Sequence, residues 1–489
     1  MPRLTVCRGD VTVAFSFSDT PVLSDVLSAA GFPLAQPCGG RGTCGKCGVT
    51  SLTGAATPPT EAETRAGRRL ACQTRLLGDC TVTLPPEPAW RNIETDADDP
   101  VPGVPMPGQV GAAVDLGTTT IAVRIYDLST GLALGQAAAS NPQAAVAADV
   151  MGRVSAALAG GGERLRALAL HAIRGAVTQA CEAAGVPGPD ALTVAGNTVM
   201  LYLLTGRTPQ ALATSPFQAD CLFGFEETLS GVPAYLPPCA AAFMGADLTC
   251  AALSTGLCDR AETTLLMDIG TNGELMLWHG GRLYAASAPA GPAFEGVEIS
   301  QGMGGVTGAI DKVWVENGGL GSRVIGGCQA EGLCGSGLID AVAALLRLGR
   351  IDLTGAAEAP FLPVSGAVGL TAADVRAVQL AKAAVAAGVE TLLAEAGISA
   401  SQVARLELAG GFGSRLNVPS AVAIGLIPAP LAGRARAVGN AALAGAAALL
   451  LDTRLRTKAE AIARRVTLVP LGGNTAFEER FLAEMNFPG

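Results

Sequence analysis

Residues 112–140 read AAVDLGTTTIAVRIYDLSTGLALGQAAAS, and residues 265–290 read LLMDIGTNGELMLWHGGRLYAASAPA. Each is a strand ending in Asp, a Gly-Thr turn, a second strand, a Gly turn and a third strand. Asp115 and Asp268 are 153 residues apart, so the pattern predicts two copies of one subdomain facing each other across a cleft. An Asp at a strand end, followed by glycine and hydroxyl residues, presents a carboxylate, approachable amides and hydroxyls at one point. A triphosphate with Mg²⁺ needs those groups: amides and hydroxyls for phosphate oxygens, a carboxylate for metal-bound water. Candidates are Asp115 and Asp268 for Mg²⁺ or the attacking water, and Gly117, Thr118, Thr119, Thr120, Gly270, Thr271 and Asn272 for phosphates. One such turn would read as an ordinary hairpin in an Ala/Gly-rich chain; the repetition argues for chemistry.

A third turn follows at Leu406–Arg415, LELAGGFGSR. Gly410, Gly411 and Gly413 after a strand would let adenine and ribose lie against bare backbone. No GxxxxGK[ST] sequence is present, which excludes the Walker-type P-loop. The three turns resemble the phosphate 1, phosphate 2 and adenosine motifs of the superfamily holding actin, sugar kinases, acetate kinase and heat-shock chaperone ATPases. That resemblance implies a duplicated, actin-like (ribonuclease H-like) α/β ATPase body over 110–489, with lobes at about 110–260 and 261–489, binding ATP and Mg²⁺. Helical stretches at Val146–Leu158, Glu163–Ala184, Ala372–Ala396 and Asn440–Asp452 fit it. Asn197 in AGNT reads equally as a cleft lip or a helix cap, Asp247 in FMGAD reads as a cap before a water-orienting acid, and GNAALAGA at 439–446 reads as close helix packing. Cys239, Cys250, Cys258, Cys328 and Cys334 show no ligand spacing and read as core thiols.

Upstream, Gln36–Val49 reads QPCGGRGTCGKCGV. Cys38, Cys44 and Cys47 stand at intervals of six and three, with Cys72 distant. Three thiols in one loop plus a fourth farther on is the plant-type [2Fe-2S] arrangement, with one more residue in the first interval, as in vertebrate- and bacterial-type ferredoxins; zinc sites pair two short knuckles instead. A zinc-stabilised or merely thiol-rich turn is the plainer reading. Short β-runs at Leu4–Cys7, Val11–Phe17 and Cys80–Leu84 frame a small α+β domain over 1–84, expected as a β-grasp ferredoxin. Seven prolines and five acids over 85–109 predict an extended linker reaching roughly 75 Å.

The 489 residues are 15% charged with net charge −9, so there is no basic excess for phosphate backbones and nucleic acid is an unexpected partner. The charge is segregated: residues 1–84 hold eight Lys/Arg and six Asp/Glu, which leaves the body acidic. The most continuous apolar run, Ala441–Leu451, is short of the ~18 residues of a membrane span. Without a leader-like segment, cytoplasmic location and no membrane partner are expected. Thirteen Cys and two His favour thiolate ligation over disulfides or multi-histidine sites.

A [2Fe-2S] ferredoxin domain joined to an actin-like ATPase resembles the reductive activators of corrinoid proteins. QPCGGRGTCGKCGV with Cys72, DLGTTTIA, AGNTVM, MGAD, DIGTNGE, CGSGLIDAV, AGGFG and GNAALAGA carry the likeness. It implies an enzyme that uses ATP to return Co(II) to Co(I) in a partner corrinoid protein of a methyl-transfer system, with Cys38, Cys44, Cys47 and Cys72 holding iron. A reductase or ferredoxin would load the cluster, and a homodimer is possible. In some members more sequence separates cluster and ATPase, a linker or middle domain that supports dimers; here only 85–109 intervenes. The alternatives are a redox-sensing small-molecule kinase, an activator of a radical acyl-CoA dehydratase, and a docking protein without electron transfer.

Overall fold

The computed structural model describes all residues except 35, 37–39, 44, 86–102 and 104–108. Most of the expected linker, and the ligand candidates Cys38 and Cys44, thus lie outside the described residues. The N-terminal sheet has β1 (Arg3–Arg8), β2 (Val11–Ser16), β3 (Ser51–Ala56) and β4 (Leu76–Thr83) in the order β2-β1-β4-β3, with β1 and β4 parallel and the other pairs antiparallel. Alternation buries Leu4 and Val6 of β1 fully, together with Leu23 and Leu27 of the helix Leu23–Ala29. This is the β-grasp arrangement. β3 escaped the sequence reading because SLTGAA has little β-propensity.

The first lobe is a six-stranded sheet. It contains β5 (Val110–Leu116), β6 (Thr120–Asp127), β7 (Ala133–Ser140), β8 (Ala191–Gly196), β9 (Phe225–Leu229) and β10 (Val232–Leu236), ordered β7-β6-β5-β8-β10-β9. β5 is buried along nearly its whole length, as a strand covered on both faces must be. The helix Gly162–Ala184 covers one face with Leu165, Ala169, Ile173, Ala176 and Ala180, a three-and-four spacing, and stops at the left-handed Gly185.

The second lobe repeats the plan with β11 (Thr264–Ile269), β12 (Gly273–His279) and β13 (Arg282–Ala288). The strand Arg405–Ala409 lies parallel to β11. The register is the same in both copies: Asp115 pairs with Ala195, and Asp268 with Ala409. Small sheets at Ala309–Leu333 and Phe361–Thr371 are additions that the repeat did not foretell.

The lobes meet over a shared apolar core in which Ala113, Tyr126 and Leu248 of one pack with Leu266, Met276 and Leu443 of the other. There the helix Ala441–Leu451 crosses the helix Ala246–Ser254 closely. A Cβ on Gly445 would stand 2.1 Å from the Cys250 carbonyl oxygen, so only glycine fits. The apolar-run expectation needs correction: Ala372–Glu395 is also long and apolar enough to cross a membrane, with 78% of its apolar window buried inside the protein. Cys328 is exposed, whereas Cys239, Cys250 and Cys334 are buried as expected.

Candidate active site and cluster loop

The repeated register brings both Asp-Gly-Thr turns to one interlobe cleft of about 300 Å³. Asp115, Gly117, Thr118, Thr119 and Thr120 line one wall, Asp268, Gly270, Thr271 and Asn272 the other, and Gly410 and Gly411 one end. Gly410 has φ +77°, and a Cβ there would sit 2.6 Å from Asp268 Oδ1, so glycine is needed for the strand to pass its acid. Gly413 does not line the cleft; it packs on the Leu408 backbone. In its place Phe412 lines the cleft and stacks on Phe294, centroids 5.4 Å apart.

The first wall is held from behind. Asn141 Nδ2 donates to the Gly117 carbonyl at 2.9 Å, Arg153 Nη2 to the Thr118 carbonyl at 2.7 Å, and Asn197 Nδ2 to Thr118 Oγ1 at 3.1 Å. Asn197 also accepts from the Met200 amide at 2.9 Å, so it is cleft lip and helix cap at once. Arg153 is fully buried; burial pulls its guanidinium down to about 10, which leaves it charged at neutral pH behind the phosphate turn. Glu295 joins the walls: Thr119 Oγ1 donates to its Oε1 at 3.0 Å and Thr271 Oγ1 to its Oε2 at 2.7 Å.

The three cleft aspartates have few donors: Asn440 Nδ2 for Asp115 and the Leu248 amide for Asp247. Burial lifts the Asp115 carboxyl to about 6 even though Asn440 Nδ2 donates to it at 2.9 Å, and burial together with Asp115 and Glu295 lifts Asp268 to about 7. Asp247 also rises to about 7, through burial and then the charges of Asp115 and Asp268. The capping role expected for Asp247 is incorrect: Gly245 occupies the cap position, and Asp247 lines the cleft from the first helical turn. Burial likewise raises Glu274 and Glu295. Carboxylates gathered with so little compensation mark a place for a cation. Among the described residues no three His, Cys, Asp or Glu side chains are grouped to hold a metal ion by themselves.

In the N-terminal domain Cys47 Sγ and Cys72 Sγ stand 3.3 Å apart, near the ~3.8 Å that two thiolates span at a tetrahedral ion with ~2.3 Å bonds. The loop turns through Gly40, Gly42 and Gly45, at φ +79°, +74° and +67°. Gln73 Nε2 donates to the Gly40 carbonyl at 2.6 Å. The hydrogen bond from Cys47 draws the Cys72 thiol down to about 6 against the effect of burial, with Gln73 assisting. These residues fit a sulfur-ligated iron centre. Under them lies Glu63, 2% exposed, accepting from Arg69 Nε and Thr74 Oγ1 at 2.8 Å each, the Leu70 amide at 2.9 Å and the Thr60 amide at 2.8 Å. It fixes the segment carrying Cys72. Glu63, Arg153, Glu295 and Asn440 were missed by sequence reasoning; Asn440, ahead of an Ala-rich run, carried a helix-cap signal, and Thr60–Glu63 carried the Thr-x-x-Glu capping-box signal.

Fold and site together define a two-lobed, actin- and sugar-kinase-type ATPase body fused to a [2Fe-2S] ferredoxin domain. The 2Fe-2S iron-sulfur cluster binding domain family matches residues 5–77, the RACo middle region 110–260, and the C-terminal, ASKHA domain of RACo 262–489. The corrinoid activation enzyme RamQ of Eubacterium limosum is 33% identical over 77% of this chain and 70% of its own. A [Co(II) methylated amine-specific corrinoid protein] reductase of Methanosarcina barkeri is 27% identical, covering 77% of each chain. A solved reductive activator for corrinoid,iron-sulfur protein superposes with TM-score 0.72 at 27% identity, over 100% of this chain and 98% of that one. The chain belongs to the RACo-type family of reductive activators of corrinoid proteins. The matched middle region, residues 110–260, coincides with the first lobe.

Proposed function

We propose that the chain binds and hydrolyses MgATP in the interlobe cleft and couples that turnover to reduction of Co(II) to Co(I) in a partner corrinoid protein. The observation that carries it is the shared register of Asp115 and Asp268, which aims two phosphate turns into one cleft of a chain that also gathers Cys47 and Cys72. Thr118, Thr119, Thr120, Thr271 and Asn272 bind phosphate oxygens, with Arg153 supplying positive charge from behind. Asp268 and Asp115 orient water around the metal, and Asp247 lies beside them. The bare backbone of Gly410 and Gly411, with the Phe412 ring, receives adenosine. Cys38, Cys44, Cys47 and Cys72 hold the iron.

When bound, the [2Fe-2S] centre supplies a one-electron carrier near ~−400 mV and Mg²⁺ screens the phosphate charge. Each 100 mV still lacking for Co(I) costs about 2.3 kcal/mol per electron. ATP turnover meets that deficit if the body grips the corrinoid protein differently in its two nucleotide states, altering cobalt ligation. A reductase or ferredoxin loads the cluster domain, recruited through the domain's positive balance. The setting is cytoplasmic, a homodimer is the assembly to look for, and neither nucleic acid nor membrane is a partner.

Phosphate release tests the reading. It should accelerate when a Co(II) corrinoid protein is added, without phosphorylation of any small molecule; a phosphorylated product formed independently of the corrinoid protein would support the kinase alternative.

A further inference from the structure

The N-terminal domain is fastened to both lobes. Lys46, next to Cys47, donates from Nζ to the Gly302 carbonyl. The Gln36 amide donates to the Ala144 carbonyl at 3.3 Å, and Arg164 pairs with Asp25 at 3.8 Å. Gly302 belongs to the second lobe, Ala144 and Arg164 to the first.

Both acceptors stand one step from the phosphate turns. Gly302 opens the turn whose Met303, Gly304 and Gly305 line the cleft. That turn presses on Gly296 without slack: a Cβ on Gly302 would lie 2.3 Å from the Gly296 carbonyl oxygen, and a Cβ on Gly296 would lie 2.6 Å from the Met303 amide nitrogen. Gly296 follows Glu295, which engages Thr119 and Thr271. On the other wall Ala144 follows Gln143, which accepts from Arg153 at 3.0 Å, and Arg153 also holds the Thr118 carbonyl.

We infer that Lys46 on Gly302 is a latch that parks the cluster domain at the cleft, and that nucleotide binding releases it through Glu295. The inference rests on the ATP reading above. The Glu295 carboxylate takes the two threonine hydroxyls that a triphosphate would claim, and two anions cannot share those donors. When phosphate oxygens arrive, Glu295 is displaced, the closely packed 295–303 turn moves with it, and the Gly302 carbonyl leaves Lys46. The two states then differ in a definite contact, which a ligand-driven shift requires. Lys46 is a positioning residue: it touches no reacting atom and decides when the electron carrier is free.

Acetylation by acetic anhydride, read by peptide mass spectrometry on the iron-loaded full chain, tests this. Exposed Lys312 and fully buried Lys382 serve as open and closed references. Without nucleotide, Lys46 should react about tenfold more slowly than Lys312, the effect of one charge-assisted hydrogen bond. Adding Mg²⁺ with the non-hydrolysable analogue AMPPNP should bring Lys46 close to Lys312. In Glu295→Ala the Lys46 rate should no longer respond to the analogue. Equilibrium dialysis of AMPPNP on the same samples separates the two claims. Binding with an unchanged Lys46 rate in the unaltered protein overturns the latch alone; no binding overturns the nucleotide reading, and the latch with it. A Lys46 already as reactive as Lys312 without nucleotide also overturns the latch.

Discussion

Glu63 in the N-terminal domain and Asp268 in the interlobe cleft are both carboxylates set into protein, yet their surroundings push them in opposite directions. Glu63 is penalised by burial but receives Arg69, two backbone amides and the Thr74 hydroxyl, and its carboxyl falls to about 2. Asp268 is penalised by burial and by neighbouring acids and rises to about 7. A buried acid saturated with donors is structural, fixing the chain that bears Cys72. One left short of donors, among other acids, awaits a ligand that brings the missing charge.

The largest effects should divide the molecule along that line. Asp268→Ala should lower ATP hydrolysis by ~10³-fold, the scale of losing a preorganised electrostatic group, while leaving the visible spectrum of the cluster intact. Its counterpart, Glu63→Ala, strands Arg69 and three other donors, and should cost the ferredoxin domain about 3 kcal/mol. Iron retention should suffer while ATP hydrolysis without a partner continues. Chemical denaturation followed separately by the cluster spectrum and by far-ultraviolet circular dichroism checks the split; equal losses in both halves from either substitution would break the comparison.

pH should separate them next, with opposite signs. Glu63 titrates lower folded than unfolded, so its contribution is full above its ordinary carboxyl value and disappears as pH falls toward 2. Asp115, Asp247 and Asp268 titrate higher folded than unfolded, so the native state keeps protons that the unfolded chain sheds. Their contribution is present at low pH and is lost as pH rises from about 4 through 6 to 7. Calorimetry without metal or nucleotide should show the body's transition falling as pH rises from about 4 to 7 and restored by MgATP at pH 7. A body transition insensitive to MgATP would contradict the cleft assignment.

The smallest effect sharpens the comparison within the cleft. Asn440 caps its helix by accepting from the Leu443 amide at 2.8 Å and also donates to Asp115. Asn440→Ala should cost about 1 kcal/mol of stability as a lost cap. It should also move the acidic limb of ATP hydrolysis to higher pH, because Asp115 loses the hydrogen bond that lowers it. An unmoved pH profile would make Asn440 a cap and nothing more.

The fold was legible where local pattern and long-range role coincide. Strand, Asp-Gly-Thr turn and strand are contiguous, so both copies could be read before their sheets were seen, and three of the cluster thiols share one loop. Glu295 and Arg153 were not legible because their importance comes from partners brought together by folding, whereas Glu63 showed only its capping box with Thr60 and not its bond to Arg69. Arg153, for example, reaches the Thr118 carbonyl across 35 residues. Asp247 was misjudged for the related reason that an acid early in a helix reads as a cap unless the facing strands are known. Gly413 was assigned to the cleft because its neighbours belong there, but the helical turn Gly410–Gly413 carries it away.

The central claim is that nucleotide turnover between the lobes is what lets the iron-bearing domain reduce cobalt. The direct measurement is the cobalt absorption spectrum of a Co(II) corrinoid partner mixed anaerobically with reductant and this protein, with and without MgATP. The account predicts Co(I) with MgATP, none without it, and none with Asp268→Ala. Co(I) forming equally fast with MgATP withheld would contradict it.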